Sequence, residues 1–121
     1  MKRQILVIAI LTIIMVSWKS NQDKKRIVFF GDSITQAGVQ PKGYITILGN
    51  MLKEKNIADN YELIGAGIGG NKVYDLYLRM DDDVLAKNPN IVVIWVGVND
   101  VWHKRSHGTG TDADKFETRG S

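Results

Sequence analysis

The sequence of 121 residues contains no cysteine, which excludes disulfide scaffolds, thiolate metal sites and cysteine nucleophiles. It also lacks an excess of either charge once its first segment is set aside. The whole chain has 16 basic and 13 acidic residues, and three of the basic ones lie within residues 1–20. Residues 21–121 therefore carry 13 side chains of each sign. A neutral domain without a basic stripe is a poor candidate for binding nucleic acid.

No apolar run reaches the roughly 20 residues of a membrane-spanning helix. The longest run, over residues 5–16, is interrupted by Thr12 and follows Lys2 and Arg3. A positive start followed by about a dozen apolar residues is the layout of a secretory signal. We expect residues 1–20 to direct export to the periplasm or the extracellular space. An uncleaved signal would tether the chain to the membrane, and no other membrane contact is expected.

After a polar linker at residues 21–25, the sequence alternates between strand and helix patterns. Continuous apolar runs predict buried strands at residues 26–30, 61–64 and 91–96. Two helices are predicted from apolar stripes, the first at Tyr44, Ile47, Leu48, Met51 and Leu52 and the second at Val73, Leu76, Tyr77, Met80 and Val84. This alternation predicts a parallel sheet with helices on both faces.

The boundaries of these elements are less sharply indicated. Three aspartates at residues 81–83 suit the positive end of a helix and predict the start of a new helical turn. Pro89 closes that segment, and no periodicity is found beyond Asn99. In a parallel sheet, ligands bind beyond the carboxyl ends of the strands. The loops after the three predicted strands hold most of the polar residues and glycines of interest.

The loops after the first and third strands each carry a side chain suited to acyl transfer. Ser33 follows a strand and a glycine, so its hydroxyl can face solvent on a tight turn. A helix cap or an Asp-Ser turn explains the same position. Asn99 can cap a turn, or its amide can donate to a developing oxyanion. Position alone leaves both explanations open.

The loop after the second strand, residues 65–70, reads GAGIGG and matches the pattern G-x-G-x-x-G. This match raises dinucleotide binding as an alternative function. A dinucleotide-binding site requires an acidic residue about 20 positions after the glycine-rich turn, at the end of the next strand. Here the next strand ends only at Asn99 and Asp100, nearly 30 positions after Gly70. A glycine such as Gly70 also has a simpler use, because it brings a backbone N–H close to a reacting group.

Taken in order, the three loops resemble the three motif blocks of the SGNH, or GDSL-type, hydrolases. Ser33 falls in the nucleophile position of the first block (FGDSIT), Gly70 in the oxyanion-hole position of the second (GAGIGGN), and Asn99 in that of the third (GVND). The resemblance extends over residues 26–100. It implies a three-layer α/β/α, flavodoxin-like parallel sheet, of which this chain supplies the N-terminal half with about three strands and two helices.

The resemblance also implies a chemistry. Ser33 attacks an ester carbonyl and forms an acyl-enzyme. The N–H groups of Ser33 and Gly70 and the amide of Asn99 stabilise the oxyanion. Neither a metal ion nor an organic cofactor is implied. The expected substrates are small-molecule or glycan esters, with acetyl groups on carbohydrate foremost.

The general base of such enzymes is not found in its expected place. The family takes it from an Asp-x-x-His block near the C-terminus, after two further strands. Asp100 and His103 have this spacing but overlap the third block, so we expect them, like Asp32, to have minor structural or substrate-rim roles. His107 lies in a glycine-rich loop and is expected to be solvated.

Residues 26–121 are therefore predicted to form a truncated hydrolase domain. The strand at residues 91–96 would then present an unpaired apolar edge. The predicted function is that of an exported serine esterase, present as a fragment without its catalytic Asp and His. The alternatives are a non-catalytic ligand-binding remnant of the same fold and, less favoured, a dinucleotide-binding module that uses residues 65–70.

Overall fold

The computed structural model describes residues 23–106 and 108–112. In this part of the chain, three parallel strands form one sheet in the order β2-β1-β3. They are β1 (Lys25–Gly31), β2 (Tyr61–Gly67) and β3 (Ile91–Trp95). The predicted signal at residues 1–20, His107 and the tail beyond residue 112 lie outside the described residues.

Four α-helices accompany these strands in the described part of the chain. They are α1 (Ser33–Gly38), α2 (Tyr44–Glu54), α3 (Val73–Asp83) and α4 (Val98–Ser106), with short 3-10 turns at Ala58–Asn60 and Leu85–Lys87. None of the described helices has the length and apolar character needed to cross a membrane.

Strand β1 is the centre of the sheet and pairs with β2 on one side and β3 on the other. Phe30, for example, lies between Ala66 and Ile94. The continuous apolar run predicted a strand covered on both faces, and Val28, Phe29 and Phe30 are all buried. Burial of such side chains stabilises the fold by about 1.5–3 kcal/mol each.

Helices cover opposite faces of this sheet. On one face, Val28 and Phe30 form a buried cluster with Leu76 and Val84 from the α3 segment. On the other face, the Phe29 ring meets Tyr44 of α2 edge-on, with 5.7 Å between ring centroids. The fold is therefore three-layered α/β/α, as predicted. The strand order 2-1-3 is also the one with which flavodoxin-like sheets begin.

Helix α2 confirms the predicted helix but buries a different face. Ile45 is the buried residue, while Ile47 and Met51 of the predicted stripe are about half exposed. Apolar residues at 44, 45, 47, 48, 51 and 52 form a band too wide to identify one buried line. The packing of Ile45 beside Gly38 and Gly65 determines which line faces the sheet.

Helix α3 corrects two expectations. Tyr77 lies on the solvent side and is 70% exposed, whereas Val73, Leu76 and Val84 are buried as predicted. Residues 81–83 end the helix instead of starting a new turn. The interaction of a carboxylate with a helix end contributes only about 0.3–1 kcal/mol. The burial of Leu76 and Val84 contributes more than this interaction and therefore determines where the helix lies. Asp83 is also paired with Arg79, at 2.7 Å.

Strand β2 is longer than predicted, because it continues through Gly65, Ala66 and Gly67. The glycines there were expected to end the strand. They instead allow close approach: a Cβ atom on Gly67 would overlap the backbone nitrogen of Gln36, and one on Gly65 would press into Val39. Helix α1 and the turn after it therefore pack directly against β2.

Helix α4 was not predicted, since no periodicity is visible beyond Asn99. The structure explains the missing signal. Among the α4 residues whose burial the structure describes, the buried ones are polar, Asn99 and Asp100, whereas Val98, Val101 and Trp102 are exposed. A helix of this kind has no apolar stripe for a pattern search to find.

Strand β3 forms one edge of the described sheet. Every residue from Ile91 to Trp95 is exposed, by 36–57%. The sequence predicted this apolar edge, and no strand in the described residues pairs with its outer side. β3 is one residue shorter than the predicted segment, while β1 begins one residue earlier, at Lys25.

Candidate active site

The three loops singled out in the sequence meet at the carboxyl edge of the sheet. Strand β1 leads into Ser33, and the neighbouring strand β3 leads into helix α4, which carries Asn99. β2 and β3 lie on opposite sides of β1, so the chain direction across the sheet reverses at β1. The crevice at such a reversal is where parallel α/β sheets bind ligands.

Ser33 is the first residue of α1 and is exposed. The helix is capped by its neighbour, because Asp32 Oδ1 accepts a hydrogen bond from Ile34 N at 2.9 Å. Asp32 itself is fully buried. The helix cap that the sequence offered as an alternative role for Ser33 is therefore provided by Asp32. Ser33 lies exposed at the carboxyl edge of the sheet.

The loop after β2 brings Gly69 beside Ser33, and Gly70 is the next residue of this loop. A Cβ atom on Gly69 would lie 3.8 Å from Ser33 Cβ. Gly70 has a φ of 80°, a left-handed conformation that glycine adopts without strain. The loop is held by α1, since Gln36 Oε1 accepts a hydrogen bond from Gly69 N at 2.9 Å.

The glycine pattern of residues 65–70 is explained by this packing. Gly65 and Gly67 lie inside β2 and make room for α1 and the turn after it, while only Gly69 and Gly70 form the turn itself. Dinucleotide binding would require the whole pattern to form a phosphate-binding turn, whereas half of it lies in a strand.

Asn99 reaches from α4 to this same loop. Its side chain is 6% exposed, and Nδ2 donates a hydrogen bond to Asn71 O at 3.0 Å. That bond fixes the plane of the amide and uses one of the two hydrogens on Nδ2. Asn99 therefore does not cap a local turn through this contact, and it links the third loop to the residue after Gly70.

Asp100 performs a structural task. Its carboxylate is buried, and Oδ2 accepts a hydrogen bond from Val73 N, the first residue of α3, at 3.2 Å. Asp32 and Asp100 thus each receive a backbone N–H at the start of a helix. Their other oxygens, Asp32 Oδ2 and Asp100 Oδ1, have no hydrogen-bond partner in the part of the chain that the structure describes.

His103 lies close to the predicted oxyanion loop. A Cβ atom on Gly70 would be 3.9 Å from His103 Cε1, and the imidazole is partly exposed. The structural or substrate-rim role of His103 stays a prediction.

Arg79 is the residue of this region that the sequence analysis missed. Its guanidinium donates to Gly31 O and Ala66 O at the ends of β1 and β2, and to Asn71 Oδ1 beside Gly70. The available signal was weak: a cation flanking the buried stripe of α3, with an acidic partner, Asp83, four residues later. Nothing local in the sequence indicated which carbonyls it would meet.

Solved structures similar to this chain include the acetyl xylan esterase AlAXEase. It is 72% identical with a TM-score of 0.77, and the match covers 78% of this chain and 48% of that one. A GDSL-like lipase structure from Parabacteroides merdae is 34% identical with a TM-score of 0.69, over 79% of this chain and 50% of that one.

The acetylxylan esterase of Geobacillus stearothermophilus is 33% identical over an alignment of 91 residues, and the match covers 66% of this chain and 42% of that protein. Two structures of this enzyme are of catalytic mutants, one with a histidine and one with an aspartate replaced by alanine. The chain thus spans about half the length of the relatives it matches.

A model of the GDSL-like lipase/acylhydrolase family matches residues 29–116. The match includes all three strands of the sheet, apart from the first residues of β1, and all three loops at its carboxyl edge. The chain belongs to the GDSL-like lipase/acylhydrolase family of ester hydrolases.

Proposed function

We propose that this chain carries the nucleophile and the oxyanion hole of a serine esterase. The observation that carries the proposal is the convergence of Ser33, Gly70 and Asn99 on one crevice from three adjacent strands. A serine beside a backbone N–H and a side-chain amide is the arrangement that acyl transfer requires.

In the proposed reaction, Ser33 Oγ attacks the carbonyl carbon of an ester and loses its proton to a base. The carbonyl oxygen becomes an oxyanion, which accepts hydrogen bonds from the N–H groups of Ser33 and Gly70 and from Asn99 Nδ2. The intermediate collapses, expels the alcohol and leaves an acyl-enzyme. Water then attacks the acyl group with the help of the same base and regenerates Ser33.

The base is proposed to come from outside residues 23–112. Serine is a weak nucleophile at its free pKa and needs one. Asp100 is engaged at the start of α3, and we assign His103 to the rim of the crevice beside Gly70. The histidine and aspartate of the catalytic mutants of the Geobacillus enzyme support an Asp–His pair of the usual kind. On this account the chain is an incomplete fragment of an esterase.

The proposed substrates are acetyl esters of carbohydrates or similar small esters. Two proteins similar to this chain are named as acetylxylan esterases, one of them 72% identical. Export directed by residues 1–20 would bring the site to extracellular glycans, which agrees with such a substrate.

A chimera tests the proposal. Residues 25–112 would replace the matching half of AlAXEase, which then supplies the remainder of the fold. We expect the chimera to release acetate from acetylated xylo-oligosaccharides, and Ser33→Ala to lower kcat by several orders of magnitude. Asn50→Ala, which changes an exposed side chain on α2, serves as the control and should leave kcat within about twofold.

The 121-residue chain without the graft is expected to show no hydrolysis above that of its Ser33→Ala variant. Ser33-dependent turnover by the ungrafted chain would contradict the proposal that the chain is an incomplete fragment without its base. A folded chimera whose activity is insensitive to Ser33 would contradict the nucleophile assignment itself.

A further inference from the structure

Arg79 is bound to several parts of the candidate site at once. Its guanidinium donates from Nη2 to Gly31 O at 2.9 Å, from Nη1 to Ala66 O at 3.0 Å and from Nε to Asn71 Oδ1 at 2.8 Å. A fourth bond joins Nη1 to Asp83 Oδ2 at 2.7 Å. The group also lies 4.5 Å from the centroid of the buried Phe30 ring.

The three partners outside α3 belong to the segments that carry the proposed oxyanion donors. Gly31 O lies two residues before Ser33, at the end of β1. Asn71 directly follows Gly70, and its own carbonyl accepts the hydrogen bond from Asn99 Nδ2. A single side chain, 15% exposed, therefore connects the positions of all three donors.

The Gly31 carbonyl is a shared junction in this network. It accepts one hydrogen bond from Arg79 and another from Ile68 N at 3.1 Å. The loop that contains Gly70 is thus bound to the end of β1 both directly and through the guanidinium. Displacing the guanidinium would loosen the loop at Asn71 and at Gly31 together.

We infer that Arg79 is a positioning residue that sets the spacing of the oxyanion hole, an inference that rests on the proposed function. Arginine is suited to this task because its planar fork presents five N–H donors in fixed directions. Three of its acceptors lie on β1, on β2 and on the loop after β2. The Phe30 ring beneath the guanidinium holds the plane of that group. Lysine offers three donors around a single point on a flexible stem, so it cannot reproduce the same set of directions.

The test uses the full 121-residue chain with Arg79→Lys and a matched control, Arg26→Lys. Arg26 also joins separate segments through the same atom types: Nε donates to Glu62 Oε2 at 2.9 Å and Nη1 to Lys87 O at 3.0 Å. It lies near the opposite, amino end of β1, away from the crevice. Both substitutions keep the charge and remove the fork.

The readout is the two-dimensional ¹H–¹⁵N NMR spectrum, in which Gly70 N–H, Ser33 N–H and the Asn99 side-chain amide give separate signals. We expect Arg79→Lys to displace all three by more than their line widths and Arg26→Lys to leave them in place. Displacements of equal size in both variants, or none in Arg79→Lys, would overturn the inference. Because no turnover is needed, the result is independent of whether the chain hydrolyses esters.

Asn71→Ala keeps the test decisive if Arg79→Lys does not fold. This change removes only the Oδ1 acceptor of Arg79 Nε and keeps the backbone carbonyl that Asn99 uses. The inference predicts displaced signals for Gly70 N–H and for the Asn99 side-chain amide. Unchanged signals for both groups in a folded Asn71→Ala variant would contradict it.

Discussion

Gly67 lies where helix α1 packs against strand β2, and no larger residue fits there. A Cβ atom at this position would overlap the backbone of Gln36 and Thr35, which cannot move without shifting the helix that begins at Ser33. The requirement for glycine is steric, since Gly67 is part of a regular strand. The same residue therefore contributes to the stability of the fold and to the location of the proposed nucleophile.

Gly67→Ala is expected to lower the free energy of unfolding by at least about 1–3 kcal/mol, the usual cost of overpacking. Gly49→Ala is the control. Gly49 lies within α2, where a Cβ would meet Leu63 Cδ1 at an ordinary 3.7 Å. Gly49→Ala is expected to raise the free energy of unfolding by up to about 1 kcal/mol, because alanine has a higher helix propensity than glycine. Urea denaturation measures both, and equal effects would refute the steric explanation.

Asn99 is the second residue whose replacement has a clear expected effect. In the chimera with AlAXEase, Asn99→Ala should reduce kcat/KM by an amount equivalent to about 2.7–4 kcal/mol, as for other oxyanion donors. Asn50→Ala, on the exposed side of α2, should leave kcat/KM unchanged. Steady-state kinetics on an acetyl ester distinguish the two, and full activity in Asn99→Ala would exclude the amide from the oxyanion hole.

Among the elements, those with continuous apolar runs were predicted best. The three strands were recognised from their uninterrupted apolar sequence. The burial on both faces that this pattern predicts is found for β1 but is wrong for β3, whose five residues are all exposed in the described structure. Helix α4 was missed because its buried residues are Asn99 and Asp100. The extension of β2 through Gly65 and Gly67 was missed because glycine normally indicates a turn. Its steric use there depends on α1, which the local sequence does not reveal.

The candidate site was predictable to a similar extent. Ser33, Gly70 and Asn99 could be located from the motif blocks, and a parallel sheet brings the ends of its strands to one edge. The contacts of Arg79 with Gly31, Ala66 and Asn71 depend on tertiary packing. No spacing rule within a single element contains that information.

Strand β3 is the element whose chemistry is least suited to solvent. Unpaired, apolar strand edges promote association between chains, and all five residues of β3 are exposed in the described structure. We expect the 121-residue chain to self-associate, and Ile94→Lys to reduce that association at equal concentration. Ile47→Lys, on the exposed side of α2 and of comparable exposure, is the control.

Sedimentation velocity measures this effect. The prediction is a shift of Ile94→Lys toward the monomer, with Ile47→Lys resembling the unmodified chain. If both lysines acted equally, general surface apolarity would explain the association. The edge of β3 would then have no special role.

At the scale of the whole molecule, the chain corresponds to about half of each relative it matches. This half contains the crevice between β1 and β3 and the residues proposed to bind the reacting carbonyl. In the proposed function, the base and the cover for β3 come from elsewhere. Within the described residues, hydrogen bonds from Arg79 and Asn99 join the segments that carry the proposed oxyanion donors.

Covalent labelling identifies the nucleophile of the proposed reaction, which we assign to Ser33. The chimera with AlAXEase would be treated with a fluorophosphonate, which reacts with activated serines, and the modified peptide located by mass spectrometry. We expect one adduct, on Ser33, and none in the Ser33→Ala variant. An adduct at another residue, or no adduct in a chimera that hydrolyses acetyl esters, would contradict it.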